Sequence, residues 1–313
     1  MRILILGAGG IGGIVGGRLA QNGADVTFLV RDARKKILDA KGLQIESPYG
    51  NASIPVTARL DKEITDHYDL VLLACKAYDL DSAIASIRPA MGPSSCVLPI
   101  LNGMAHIKRL NDEFGAQRVL GGTIKMQATL TPDGGVRQLS DWQTLTFGEQ
   151  DGHASPRTAE FKALLDKTGI DVKLTEHVMQ ALWSKMVHLA TAAGMTCLMR
   201  ANIGEIARTP EGTALLRRFL LMNADIAGHA GYRPNDEFLE GYMKLFGQTD
   251  ARYEASMLRD LERGGRIESE QILGDMLVQC RAAGLDDALH LAAYTHVKSY
   301  EQRRDAGRLP GHS

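Results

Sequence analysis

The stretch "RILILGAGGIGGIVGGRLA", residues 2–20, constrains this chain more than any other. A short branched and leucine run, residues 3–6, reads as a strand, and glycines follow it directly at 7, 9 and 12. A small-residue helix then runs toward Gly23. In the order strand, tight turn, helix, the three glycines do different things. Gly7 permits the turn, Gly9 lets the backbone approach a pyrophosphate, and Gly12 lets the helix pack on the strand. Arg2 ahead of an apolar run could also open a secretory leader, but the glycine spacing argues against it. A second strand, "ADVTFLV" ending at Val30, completes the βαβ unit expected of a dinucleotide site.

The residue at the tip of that second strand lies beside the adenosine ribose and selects the cofactor. Here the sequence is "LVRDARKK": Arg31 at the tip, with Arg34, Lys35 and Lys36 close by, favours NADP over NAD. Asp32 is the competing feature, and a solvated helix start is the plain alternative for the basic cluster. Residues 70–74 form a buried strand running into Lys76, and "SCVLPILNGMAHI" contains another that ends at Asn102-Gly103. Ligands of a doubly wound sheet lie beyond the carboxyl ends of its strands, so Lys76 and Asn102 are placed to reach cofactor or substrate, with ordinary turn chemistry as the alternative.

Residues 118–150, rich in Thr and Val around Pro-Asp-Gly-Gly, read as a β-rich edge with hairpins. One helix and a short strand, "DVKLTE", follow, and the rest reads as helical. The expectation is an α/β protein, with an N-terminal Rossmann-type doubly wound sheet over residues 1–176 and an all-helical C-terminal domain over 177–313. The tail "RRDAGRLPGHS", residues 303–313, reads as disordered.

A net charge of −1 provides no global field for nucleic acid or an anionic membrane. Cys75, Cys96, Cys197 and Cys280 are far apart and form no CxxC pair, which argues against a metal and fits reduced thiols in a cytoplasmic protein. Residues 186–199 carry no formal charge and read as a buried helix, since about 20 residues are needed to span a bilayer. Lys185 stands at the head of that stretch. Either its stem packs while its ammonium reaches water, or it is held there for chemistry.

Two constellations mark the helical half: "LWSKM" with Lys185, and "YEASMLRDLERGGRIESEQILG", residues 253–274, with Ser256, Asp260 and Glu268. Singly they read as ordinary helix surfaces. In order along the chain, GxGxxG, Arg31, "CKAY", "NGM", "LWSK", "IGEI" and "SMLRDLERGGRIE" resemble the ketopantoate reductase (2-dehydropantoate 2-reductase) family over nearly the whole sequence. The resemblance implies a Rossmann domain followed by a helical one, NADPH as cofactor, and reduction of a 2-oxo acid to a 2-hydroxy acid, with 2-dehydropantoate as leading substrate. It implies that Gly7, Ala8, Gly9, Gly10, Ile11, Gly12, Arg31, Lys76 and Asn102 bind the cofactor, with Ala128 near the nicotinamide. Lys185 would donate the proton, Ser256 would touch the substrate, and Glu268 would lie at the cleft as the second catalytic group.

The residue types suit that reaction. An ammonium attracts the substrate carboxylate, stabilises the developing alkoxide and then donates its proton, most effectively where a semi-buried site brings it near neutrality. The departures concern the substrate. Family asparagines four and eight positions after the lysine are Leu189 and Ala193 here, the asparagine before "GEI" is Ile203, the one ahead of the serine pair is Tyr253, and Ala255 replaces the first serine. His188, Thr191 and Tyr253 could supply replacement polar contacts, although a satisfied core histidine is the plainer reading of His188. A paralogue for a more apolar 2-oxo acid, a non-catalytic NADP-binding sensor and a β-hydroxy acid dehydrogenase are the other readings, and a homodimer is the expected assembly if the helical half associates.

Overall fold

In β1 (Arg2–Leu6) alternate side chains are buried on opposite sides: Ile3 and Ile5 join one apolar cluster, Leu4 another. Covering both faces is what a parallel strand requires. The chain continues through α1 (Gly10–Gln21), β2 (Asp25–Leu29), α2 (Asp32–Lys41), β3 (Leu43–Glu46), β4 (Ala52–Ile54), β5 (Thr57–Arg59), β6 (Tyr68–Leu73), α3 (Leu80–Ile87), β7 (Met91–Pro99) and α4 (Ala105–Phe114). Five strands form a parallel sheet in the order β5-β2-β1-β6-β7. The winding reverses between β1 and β6, so their carboxyl ends flank the switch point where such sheets take ligands.

The computed structural model describes residues 1–309. They form two compact units: residues 1–101 with 106–179, and residues 102–105 with 180 onward. In the first, Ile14, Val15, Leu19, Phe28 and Phe147 pack one face of the sheet, while Val71, Leu73, Ile84, Ile87 and Leu110 pack the other.

Two features depart from the sequence reading. β7 stops at Pro99, and Asn102-Gly103 lies beyond it in a turn, although the Ile100 N–H still donates to the Leu73 carbonyl at 3.0 Å. Residues 118–150 meet the edge of the parallel sheet only at Val119, which makes an isolated parallel bridge to Val97 of β7, and add no full strand to it. They form β8 (Leu120–Lys125), β9 (Ala128–Leu130), β10 (Val136–Gln138) and β11 (Thr144–Glu149), which divide between a sheet β4-β3-β10-β9 and, after α5 (Pro156–Leu165), a sheet β12-β11-β8 with β12 (Asp171–Leu174). Packing decides this: Val136 fills the space beside Gly13, where a Cβ would come within 2.7 Å of its methyl, so the β9–β10 hairpin is held on α1.

The second unit contains α6 (Val178–Met199), α7 (Ile203–Ala207), α8 (Gly212–His229), α9 (Asp236–Phe246), α10 (Ser256–Glu262), a π-helical turn (Glu270–Gly274), α11 (Asp275–Ala282) and α12 (Ala288–Asp305). The uncharged stretch of α6 is core: Ala190, Ala192, Ala193, Met195 and Cys197 are buried, and Gly194 admits the Phe219 ring where a Cβ would lie 2.4 Å from it. A buried polar chain ties three helices together. The Thr191 hydroxyl donates to the Val187 carbonyl at 2.7 Å, Asn223 Nδ2 donates to the Thr191 hydroxyl at 3.1 Å, and Asn223 Oδ1 meets His290 Nε2 at 3.1 Å. Because an amide oxygen only accepts, His290 carries its proton on Nε2.

The start of the tail expected to be disordered is helical, since α12 runs to Asp305 with Arg303 and Arg304 in its last turn. Basic side chains there suit the helix dipole, and Arg304 Nη1 donates to the Gly265 carbonyl at 3.3 Å. Residues 310–313 of that tail lie outside the described residues. Among the described residues no helix is long and apolar enough to cross a membrane, no cluster of His, Cys, Asp or Glu is arranged to hold a metal, and the cysteines are free.

Burial pushes the His290 imidazole down to about 4 from its ordinary 6.5. The unfolded chain therefore binds more protons between those values, and stability is lost as pH falls through that window, by at most about 1.4 kcal/mol per pH unit. Urea unfolding of the parent and His290→Gln at several pH values should show the parent falling more steeply below pH 6.5. Parallel slopes would remove His290 as the source.

Candidate active site

The turn after β1 meets the geometric demands of a phosphate cradle. Gly7 has φ +98°, which favours glycine, and its N–H donates to the Leu29 carbonyl at 3.0 Å. A Cβ at residue 12 would stand 2.0 Å from the Gly7 carbonyl oxygen and 3.0 Å from the Ala74 Cβ, so only glycine lets α1 approach the ends of β1 and β6. Gly9 differs: its φ is −80° and an added Cβ would meet nothing within 4 Å. The fold leaves that space open, in front of a helix start whose first amides no side chain caps, and this is the room a pyrophosphate needs. Gly10 is pressed against the other candidate loop, since its Cβ would come 2.6 Å from the Ala128 carbonyl oxygen. Ala8 is buried, Ile11 is half-buried beside it, and Ala128 thus borders the glycine turn.

The basic cluster at residues 31–36 does not act as a cluster. Arg34 Nε donates to the Ala8 carbonyl at 2.9 Å and Nη1 donates to the Gly134 carbonyl, so this side chain braces the turn and the β9–β10 hairpin. Lys35 pairs with Asp39 and Lys36 with Asp32, both at 2.7 Å one helical turn apart. The pair to Lys36 lowers the Asp32 carboxyl from its ordinary value, so the competing acid is engaged within its own helix. Arg31, 84% exposed at the head of α2, reaches Asp79 at 3.2 Å in the turn after β6. Lys76 lies exposed at the start of that same turn. Nothing in the sequence pointed to Asp79.

In the second unit the Asn102 side chain donates from Nδ2 to Glu268 Oε2 at 3.2 Å. Gly103 has φ +91°, and its Cβ would lie 2.4 Å from the Gln271 carbonyl oxygen, so the turn is seated against the π-helical turn. Asn102-Gly103 is both a tight turn and a side-chain contact. Glu268 is not on a helix surface: it precedes the π-helical turn and is only 5% exposed. Helix α12 anchors the segment around it. The Ser269 hydroxyl donates to Glu301 at 2.6 Å, Lys298 bridges Glu270 and Glu301 at 2.7 and 2.5 Å, and the Tyr300 hydroxyl donates to the Gly265 carbonyl at 2.8 Å.

Lys185 is half-buried on α6, with His188 and Leu189 following on the same face. Ser256 opens α10 and is half-buried. His188 Nε2 lies 2.9 Å from the Tyr253 hydroxyl, and the imidazole stacks on Tyr242 with ring centres 4.1 Å apart. The structure corrects three polar or cleft-lining expectations. Thr191 is fully buried and spends its hydroxyl on Val187 and Asn223, while Ala193 and Ile203 are each 0% exposed and belong to the core. Of the five substituted positions, Leu189 and Tyr253 are partly open, while Ala193, Ile203 and Ala255 are buried. Tyr242 went unnoticed in the sequence, although Phe238, Tyr242 and Phe246 recur every fourth residue along α9.

The family model for ketopantoate reductase PanE/ApbA matches residues 3–152, and that for its C-terminal part matches residues 177–301. The chain belongs to the ketopantoate reductase family. Its members are NADP-dependent oxidoreductases acting on a CH–OH group, and this one reduces a 2-oxo acid at the expense of NADPH. The chain is 29% identical over 304 residues to the uncharacterized oxidoreductase YkpB of Bacillus subtilis, covering 97% of this chain and 100% of that protein. It is 28% identical over 284 residues to 2-dehydropantoate 2-reductase of Halobacterium salinarum, covering 90% and 92%. A PanE/ApbA family ketopantoate reductase from Ralstonia eutropha shares the fold, with a TM-score of 0.87 at 24% identity over 97% of this chain and 100% of the other.

The turn yields a paired test. Gly12→Ala should cost at least about 2 kcal/mol of stability through overpacking. Gly9→Ala should change stability by less than about 0.5 kcal/mol yet weaken NADPH binding, read by calorimetry. Unchanged NADPH affinity in Gly9→Ala would mean that no phosphate approaches this turn.

Proposed function

We propose that this reductase acts on 2-dehydropantoate, giving pantoate, with residues 1–176 holding the cofactor and residues 177–313 the substrate. The observation that carries this reading is the Asn102–Glu268 contact, which fixes a buried carboxylate in the unit that also bears Lys185. A buried carboxylate held by an amide is a costly arrangement to keep without use, and together with a lysine of the same unit it would supply the acid and orienting group that carbonyl reduction needs.

Bound NADPH would supply the hydride that C2 of the oxo acid needs. Lys185 attracts the substrate carboxylate, stabilises the charge growing on the carbonyl oxygen and gives that oxygen its proton, returning to the ammonium form from solvent. Glu268, steadied at Oε2 by Asn102, orients Lys185 or accepts from the substrate hydroxyl. Ser256, at the first position of α10, holds the substrate. Gly7, Ala8, Gly9, Gly10, Ile11 and Gly12 would hold the cofactor's pyrophosphate, Arg31 its 2′-phosphate, Lys76 and Asn102 would bind it further along the sheet's end, and Ala128 would lie near the nicotinamide.

Loss of NADPH absorbance with 2-dehydropantoate, pyruvate, 2-oxoisovalerate and an aromatic 2-oxo acid tests the substrate. Efficient turnover of 2-dehydropantoate is expected, and poor turnover of it beside rapid turnover of another acid would refute the assignment. Lys185→Ala should lower kcat about 100- to 10,000-fold while NADPH affinity holds, and near-normal kcat would remove it as the acid. Arg31→Ala should shrink the preference for NADPH over NADH about 10- to 100-fold. An unchanged preference would place the 2′-phosphate elsewhere.

A further inference from the structure

One helical turn beyond Lys185, His188 of α6 forms a polar pair with Tyr253, which precedes α10, and the reaction as derived above does not use it. His188 Nε2 and the Tyr253 hydroxyl lie 2.9 Å apart. The imidazole plane is held by stacking on Tyr242 at 4.1 Å and on Tyr253 at 5.6 Å, and Tyr242 is itself backed by Phe238 at 4.7 Å and Phe246 at 5.9 Å. Aromatic packing from α9 therefore fixes the ring. The Tyr253 backbone is fixed as well, because its carbonyl accepts from the Ile203 N–H at 2.9 Å. His188, Tyr242, Tyr253 and Leu189 are all partly open, whereas the next turn of α6 is sealed core. One leucine, aromatic ring faces and a hydroxyl–imidazole pair thus stand at partly open positions after Lys185.

A phenol has one donor and two acceptor positions, so a single bond to His188 leaves capacity for a ligand hydroxyl. Leu189, four residues after Lys185, offers branched carbons an apolar wall.

We propose that the His188–Tyr253 pair determines specificity by binding a hydroxyl on the far end of the substrate, while Leu189 meets the branched carbons between. The substrate class is then a branched 2-oxo acid with a terminal hydroxyl. This rests on the placement of Lys185 at the reacting carbonyl given above. Burial raises the Tyr253 hydroxyl above its ordinary range, so it stays protonated and the pair keeps its hydrogen through the working pH. A substrate hydroxyl adds a second hydrogen bond to the phenol, so the acid that carries it is preferred over the analogue that lacks it.

The test is the ratio of kcat/KM for 2-dehydropantoate to that for 3,3-dimethyl-2-oxobutanoate, which differs only in lacking the hydroxyl, in the parent, Tyr253→Phe and His188→Phe. Tyr253→Phe keeps ring and stacking and should lower the ratio about 10- to 100-fold. His188→Phe, which keeps a ring on Tyr242 without the polar partner, should lower it in the same direction. A ratio unchanged in both variants overturns the proposal, as does a parent with no preference for the hydroxylated acid. Should the parent not reduce 2-dehydropantoate, that substrate assignment fails by itself, and 4-hydroxy-2-oxobutanoate against 2-oxobutanoate then decides the pair by the same ratio.

Discussion

The 2.0 Å that would separate a Cβ at residue 12 from the Gly7 carbonyl oxygen sets the geometry of the first unit. With hydrogen in that place, α1 can start directly over the end of β1 and touch Ala74 at the end of β6. That approach brings the helix start to the switch point of the sheet, where the uncapped amides of α1 face open space at Gly9. It also decides what can cover α1. Gly10 and Gly13 leave room for Ala128 and Val136, so the β9–β10 hairpin lies on the helix instead of on the sheet edge. Arg34 then joins the Ala8 carbonyl to the tip of that hairpin. Charge at this position serves architecture.

The second unit is organised around buried polarity. Thr191, Asn223 and His290 form a hydrogen-bonded chain among apolar helices, and such a chain favours one register of α6, α8 and α12 because a slip would break its three bonds in buried surroundings. Register matters for α6, since it decides which face carries Lys185, His188 and Leu189. The same α12 grips the segment of Glu268 through Ser269, Glu270 and Gly265. A π-helical turn follows directly, and its widened backbone receives the Asn102-Gly103 turn. The buried carboxylate is thereby held from two sides: by an amide from residue 102 and by anchored backbone from its own segment.

Several sequence expectations fail for one reason. Arg34, Lys35 and Lys36 read as a basic cluster because charge is counted along the chain, yet two of them pair one helical turn away and the third turns to backbone carbonyls. Arg31 alone reaches across to the turn after β6. Likewise Thr191, Ala193 and Ile203 lie in segments that carry site residues, but the pitch of α6 and the docking of α7 turn them into the core.

The sequence alone determined what local chemistry dictates: a strand, a glycine turn and a helix at residues 2–21, parallel strands apolar on both faces, a helical second half, and a lysine at the head of an apolar helix. These follow from sterics and hydrophobic period, which act over a few residues. Tertiary structure decided the rest. Short strands such as β4 and β10 carry too few residues to show a period, so their joint sheet exists only because α1 offers them a surface. Asn102 and Glu268 are 166 residues apart, and His188 and Tyr253 are 65 apart. No local rule pairs them, because a hydrogen bond depends on where the packed helices place its two ends.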